Sequence, residues 1–397
     1  MSMETARTIR VDPWRIIETT ADPAFRKKHE SIFALGNGYL GLRGSFEEGE
    51  DDPDSDRGAY VNGLYDYYPY VYNWRRPGYP ARGHGMLNVA DYSIVHVNTR
   101  MGTINALDGD VMTYERTLDM RMGVLSRSFL WTCPGETVQV ETERFVSMAS
   151  PHRAVIKYSI TPDFDGEIEF ECAIEGDVSN VNWERKALEV TGVGEEGQLC
   201  WLTQRAKESG FALACAAAHK FHQPVAQFRT DLEDQRVSTY VTFNAKAGDR
   251  ITVEKYVAVY DSRDTAEDQL VPAAVAEASR AWDAGYCAMR EEHVRWWTDF
   301  WNDADLEVHG DDAAQQGVRF ALFQLAQSTG RDGRTNCGAN GLTGEAYNGH
   351  VFWDSEMYIL PAFLYSRPEI ARSMMAYRHY ILPAARQRAH EMEHEGA

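Results

Sequence analysis

Between Met86 and Tyr260 apolar and polar positions alternate in short runs, as in Thr137-Val138-Gln139-Val140-Glu141-Thr142 and Arg250-Ile251-Thr252-Val253-Glu254-Lys255-Tyr256-Val257. A period of two sends successive side chains to opposite faces of a strand, so these runs predict strands with one buried face. Asp108-Gly109-Asp110, Asp165-Gly166-Glu167 and Lys246-Ala247-Gly248-Asp249 separate them at hairpin spacing. The expected product is a pair of packed antiparallel sheets, a scaffold and not a reaction centre. Near Asp261 the period becomes helical. Asp264 to Arg290 is rich in Ala and Glu, and Glu291 to Trp301 carries Trp296, Trp297, Phe300 and Trp301 at helical spacing. That pattern predicts a helical linker whose indoles cement domains together. Further on, Val318, Leu322 and Leu325 mark one face of an amphipathic helix over Ala313 to Gln327. Met357 to Tyr365 is apolar and long enough for a helix; Ser366-Arg367-Pro368-Glu369 reads as a capping box opening a helix through Tyr377, and Pro383 starts another.

The N-terminal part is harder to read by period. Glu30 to Gly44 is punctuated by Gly36, Gly38, Gly41 and Gly44, which predicts short strands and tight turns; it lacks the lysine or strand-to-helix context of a phosphate cradle. Glu47 to Asp56 is acidic, with Asp52, Asp54 and Asp56 alternating as calcium ligands do. An EF-hand loop needs glycine at its sixth position and glutamate at its twelfth, where this chain has Arg57 and Gly63, so a solvated loop is expected. Tyr65 to Trp74 is dense in aromatics and precedes Arg75-Arg76. Those rings either pave a sheet or rim a glycan groove, and packing is the favoured reading.

At 397 residues the chain is too long for one ordinary domain. Its 60 acidic against 40 basic residues give a net charge of −20, which disfavours nucleic acid and anionic membranes as partners. A neutral ligand suits that field better, and an anionic co-substrate would need a locally basic pocket. The opening Met1-Ser2-Met3-Glu4-Thr5 lacks a signal-peptide pattern, and no apolar run approaches membrane-spanning length. Six scattered cysteines and the lack of an Asn-x-Ser/Thr acceptor fit a reducing, cytoplasmic setting.

His390-Glu391-Met392-Glu393-His394 matches the zinc-peptidase spacing, but a third ligand is missing downstream, so no metal is expected. His219 and His222 lie in a strand region where positions three apart face opposite ways. No nucleophile-elbow spacing supports serine catalysis. The richest stretch is Gly341 to Glu356, Gly-Leu-Thr-Gly-Glu-Ala-Tyr-Asn-Gly-His-Val-Phe-Trp-Asp-Ser-Glu. A glycine-rich turn there delivers Phe352, Trp353, Asp354 and Glu356 to the start of the apolar segment. A sugar is held by such a corner when its C–H face lies on an indole and a carboxylate accepts two adjacent hydroxyls. A structural alternative is a helix N-terminus with Trp353 in the core and the acids complementing the helix dipole.

This stretch resembles the signature of glycoside hydrolase family 65, the maltose, trehalose, kojibiose and nigerose phosphorylases, and Glu30 to Gly44 resembles the family's opening segment. The resemblance implies a β + α multidomain fold: an N-terminal antiparallel β-sandwich over residues 1–262, a helical linker over 263–310 and the first part of an (α/α)6 barrel over 311–397. It also implies that Trp353 and Asp354 bind the glucosyl unit whose bond is broken. The implied reaction converts a disaccharide and inorganic phosphate into glucose and β-glucose 1-phosphate with inversion and without a cofactor. In the family the general acid is a glutamate in a Gly-Pro-Asp-Glu-Tyr-like motif that this sequence lacks, as it lacks the phosphate loop. The catalytic residue is therefore unknown here and expected beyond residue 397, and the chain alone is expected to turn over slowly or not at all. A hydrolase on the same fold, or a non-catalytic carbohydrate-binding remnant, is the alternative. Apolar helix faces left uncovered by an incomplete ring predict aggregation or a homodimer.

Overall fold

In the computed structural model, which describes residues 9–49, 54–69, 78–80, 82–107, 110–133, 135–181, 183 and 185–394, the alternating region forms antiparallel strands. The largest sheet has ten strands, with Glu136–Val146, Arg153–Pro162, Ile251–Asp261 and Ala212–Phe221 adjacent at its centre. A second sheet of five strands is built around Gly166–Glu175 and Arg236–Ala245, paired so that Ile168 opposes Phe243 and Phe170 opposes Val241. Phe129, Val140 and Tyr158 of the first sheet bury against Phe170, Val241 and Phe243 of the second. This is the inward-facing half of the alternation, and it makes a β-sandwich.

The ten-stranded sheet buries its other face too. Ala212, Ala214, Ala216 and Ala218 share one side of their strand and pack on Leu270, Ala274, Ala278 and Ala281 of a long helix. Small side chains at alternate positions let the helix lie close to the sheet. That helix, Leu270–Ala304, is interrupted at Gly285, whose φ of 78° and ψ of 164° belong to neither helix nor strand. We number the helices α1 (Arg26–Ile32), α2 (Leu270–Ala304), α3 (Asp312–Ser328), α4 (Leu360–Leu364), α5 (Pro368–Tyr380) and α6 (Leu382–Glu391).

Trp297 and Trp301 of α2 are core residues, while Trp282 and Trp296 are half-buried at its edge. Trp297 stacks on Phe323 of α3 at 4.6 Å between centroids, and Trp301 meets Trp14 edge-on at 5.2 Å. The buried face of α3 is Gln315, Arg319, Phe323 and Ala326, one position round from the predicted stripe; Val318, Leu322 and Leu325 are half-buried flanks. Arg319 causes the rotation. It turns inward to a two-pronged pairing with Asp305, 2.8 Å on each arm, and covers the Trp14 ring at 3.7 Å.

Four local expectations need correction. Glu30 to Ile32 end α1, and the strands of this segment are only Leu35–Gly36 and Leu40–Leu42. The turn between them needs Gly38: its φ is 85°, and a Cβ would sit 2.3 Å from the Thr329 carbonyl oxygen. Glu47 and Glu48 are buried, not solvated, because Arg127 (2.6 Å from each) and Arg144 (3.0 Å from Glu47) draw them into the sandwich; Asp52 of that loop lies outside the described residues. The capping box does not form. Arg367 takes the cap position without a side-chain bond, while the Ser366 hydroxyl donates back to the Ala362 carbonyl at 2.7 Å. Finally, Met357 to Tyr365 is not one α-helix but a π-helical turn, Ser355–Ile359, followed by α4. Pro361, which has no N–H to donate back to Met357, explains why the α pattern cannot run through. Among the described residues no helix is long and apolar enough to cross a membrane.

Candidate sugar-binding corner

A third sheet, of four strands, contains the hairpin Ala59–Pro69 and Arg82–Val89. Its far end reaches the signature loop. The Tyr65 hydroxyl donates to the Gly349 carbonyl at 2.7 Å, the Asn348 amide donates to the Tyr68 hydroxyl at 2.9 Å, and Nε2 of His350 lies 2.7 Å from the His84 carbonyl oxygen. Those contacts hold an unusual backbone: Tyr347 and Asn348 both have φ of 54°, a left-handed conformation that costs a non-glycine residue about 1 kcal/mol or more. Tyr70, Tyr72, Trp74, Arg75 and Arg76 of the aromatic stretch lie outside the described residues.

The loop then presents its rings and acids at one corner. Phe352 is 39% exposed and Trp353 65%, with the indole 6.3 Å from the Tyr358 ring. Asp354 is exposed, and among the described residues no hydrogen bond or ion pair reaches its carboxylate. Its neighbours are committed. Glu356 pairs with Arg378 at 2.6 Å and accepts from Asn336 at 3.1 Å. Glu345 accepts from the Tyr60 hydroxyl at 3.0 Å and from the Val181 amide at 2.8 Å, and burial pushes its carboxyl above the usual range.

A cleft of about 710 Å³ opens behind the loop, lined by Lys27, Arg43, Tyr60, Gln324, Glu345 and Ile359 among others; neither Trp353 nor Asp354 borders it. The two predicted site residues thus sit side by side at the surface, apart from this cleft. Arg378, Asn336 and the Tyr65–His84 end of the hairpin support the corner; sequence reasoning offered the stretch from Tyr65 as sheet paving or a groove rim and missed Arg378, Asn336 and His84. They lie 17 to 289 positions from Trp353 or Asp354 along roughly 400 residues, and no spacing rule links them.

The remaining candidates separate. His390 is in the last turn of α6 and His394 lies past its end, with Glu393 left-handed at a φ of 63°. His219 is buried, and burial depresses its imidazole to about 3; His222 is outside the strand, 2.9 Å from Glu254. Among the described residues no group of three or more metal-binding side chains is assembled.

A β-sandwich joined by a long helix to the first helices of an α-helical unit is the architecture this chain defines. Residues 16–300 match the glycosyl hydrolase family 65 N-terminal domain, and residues 319–397 match the family's central catalytic domain. The chain belongs to glycosyl hydrolase family 65. It is 38% identical to the α,α-trehalose phosphorylase of Thermoanaerobacter brockii, over 97% of this chain and 52% of that protein. It is 32% identical to the kojibiose phosphorylase of Halothermothrix orenii, over 97% of this chain and 49% of the relative. A solved structure assigned as a kojibiose phosphorylase, from the human microbiome, superposes with a TM-score of 0.90 at 26% identity, covering 98% of this chain and 51% of that one. The chain therefore spans about half the length of the relatives it matches.

Proposed function

We propose that this chain provides the glucosyl-binding part of an inverting α-glucoside phosphorylase, with Trp353 and Asp354 as the substrate-binding pair. The observation that carries the reading is Asp354: a carboxylate without a partner among the described residues, beside an indole 65% exposed. An exposed aromatic face takes the C–H side of a pyranose, and an unpartnered carboxylate is free to accept its hydroxyls. The names of the relatives supply the reaction class: trehalose and kojibiose phosphorylases.

In that reaction phosphate attacks the anomeric carbon from the face opposite the leaving sugar. The glycosidic C–O bond breaks, the leaving oxygen takes a proton from a general acid, and glucose and β-glucose 1-phosphate result. Phosphate arrives ionised, so no base is required and inorganic phosphate is the only co-substrate. Glu345 and Glu356 are both engaged by neighbours, and neither is assigned as the general acid. The residue divisions 1–262, 263–310 and 311–397 are our proposal for its domains, and the six unpaired cysteines support a reducing, cytoplasmic setting.

The test is glucose release from trehalose, maltose and kojibiose, measured with and without phosphate on the 397-residue chain and on a form of the length of its relatives. The long form should release glucose only with phosphate, and the short one little or none. Release without phosphate would instead identify a hydrolase, and phosphate-dependent turnover by the short chain would place the acid within it.

A further inference from the structure

The sugar-binding corner is gripped from outside by a residue that no motif marks. One nitrogen of Arg378, Nη2, donates to the Phe352 carbonyl oxygen at 2.5 Å and to Oε2 of Glu356 at 2.6 Å. These two acceptors are four residues apart and bracket Trp353 and Asp354. Asn336 holds the other Glu356 oxygen at 3.1 Å, and the Ser355 hydroxyl donates to the Cys337 carbonyl at 3.0 Å from the buried side. Within this frame the amides of Glu356 and Met357 both donate to the Trp353 carbonyl at 3.2 Å. The backbone on both sides of the pair, Ser355 and Glu356 are tied down, and the side chains of Trp353 and Asp354 stand exposed.

We propose that Arg378 of α5 is a positioning residue, fixing the turn that presents Trp353 and Asp354. The proposal rests on the reading of that pair as the glucosyl grip. Charge-assisted hydrogen bonds are strong and directional, and pre-fixing a binding turn lowers the ordering cost that a ligand otherwise meets. A guanidinium reaches both acceptors from a rigid helix. Methionine keeps most of the stem and supplies no donor; lysine keeps the charge on a shorter reach.

The experiment compares wild type, Arg378→Lys and Arg378→Met of the 397-residue chain by three readouts: amide hydrogen exchange of the segment 352–358, affinity for glucose and maltose, and melting temperature. In Arg378→Met, which removes both bonds of Nη2, the segment should exchange at least about ten-fold faster and sugar affinity should fall at least about ten-fold. Arg378→Lys should recover part of both, and the melting temperature should stay within a few degrees of wild type. Unchanged exchange in Arg378→Met overturns the proposal whatever the sugar does. So does equal sugar affinity in wild type and Arg378→Met. If exchange rises but no variant, wild type included, binds sugar, the turn is positioned by Arg378 and the glucosyl reading is what fails.

Discussion

The sandwich and the signature corner handle their polar groups in opposite ways. Inside the sandwich, Glu47, Glu48, Arg127 and Arg144 are buried together and matched in sign, and the rings of Phe129, Phe170 and Phe243 fill the space between sheets. At the corner, Trp353, Met357, Tyr358 and Tyr365 stand more than half exposed, two successive non-glycine residues are left-handed, and Asp354 has no partner among the described residues. The chain pairs Glu47 and Glu48 with arginines at depth and leaves Asp354 open to solvent beside an exposed indole at the corner. Such exceptions cluster where a ligand or another surface is to be met.

The comparison breaks if the corner proves as necessary to folding as the sandwich, and the largest effect is expected where a buried charge is stranded. Arg144→Met leaves Glu47 with one cation fewer, and breaking a buried pair from one side costs about 3–5 kcal/mol. Asp354→Asn, at an exposed site, should shift stability by less than about 0.5 kcal/mol. Urea unfolding of both variants measures this; similar losses would erase the distinction.

Acid tests the seam between sandwich and α2. His293 accepts from the Met148 amide at 3.1 Å, and its Nε2 faces the Gly123 carbonyl at 2.9 Å, so the neutral ring is fully used. Burial holds its imidazole at about 4, below the ordinary 6.5. The unfolded chain takes up the proton first as pH falls, so the contribution of His293 is complete above about 6.5 and is lost toward pH 4. That amounts to something on the order of 3 kcal/mol. Urea midpoints against pH should fall across this window in wild type and flatten in His293→Gln. Parallel curves for the two proteins would remove the seam from the account.

A smaller effect concerns association. Leu364 is 46% exposed and Tyr365 91%, on a short helix beside Met357 and Tyr358. Light scattering should show self-association of the wild-type chain. Leu364→Ser with Tyr365→Ser should weaken it by about 1–3 kcal/mol, the scale of burying a large side chain. A monodisperse wild-type monomer would show that this apolar face needs no cover.

Most of the scaffold was legible because its signal is periodic. Alternation such as Val138–Val140 or Ile251–Val253 fixes a face, and the change of period near Asp261 foretells α2. What escaped was set by distant partners. Glu47 and Glu48 read as loop acids until Arg127 and Arg144 come from other strands to meet them. Arg319 rotates α3 because Asp305 and Trp14 await it. At the corner, Trp353 and Asp354 stood out by motif, whereas Arg378 and Asn336 are ordinary polar residues until the fold closes on Glu356.

The direct test of the central claim, that Trp353 and Asp354 hold a glucosyl ring, is calorimetric titration of maltose into the wild-type chain and into Asp354→Asn, with melting curves as control. Saturable binding by wild type, lost in an equally stable Asp354→Asn, is the predicted result. Equal titration of the two proteins, or no binding by wild type, would contradict it.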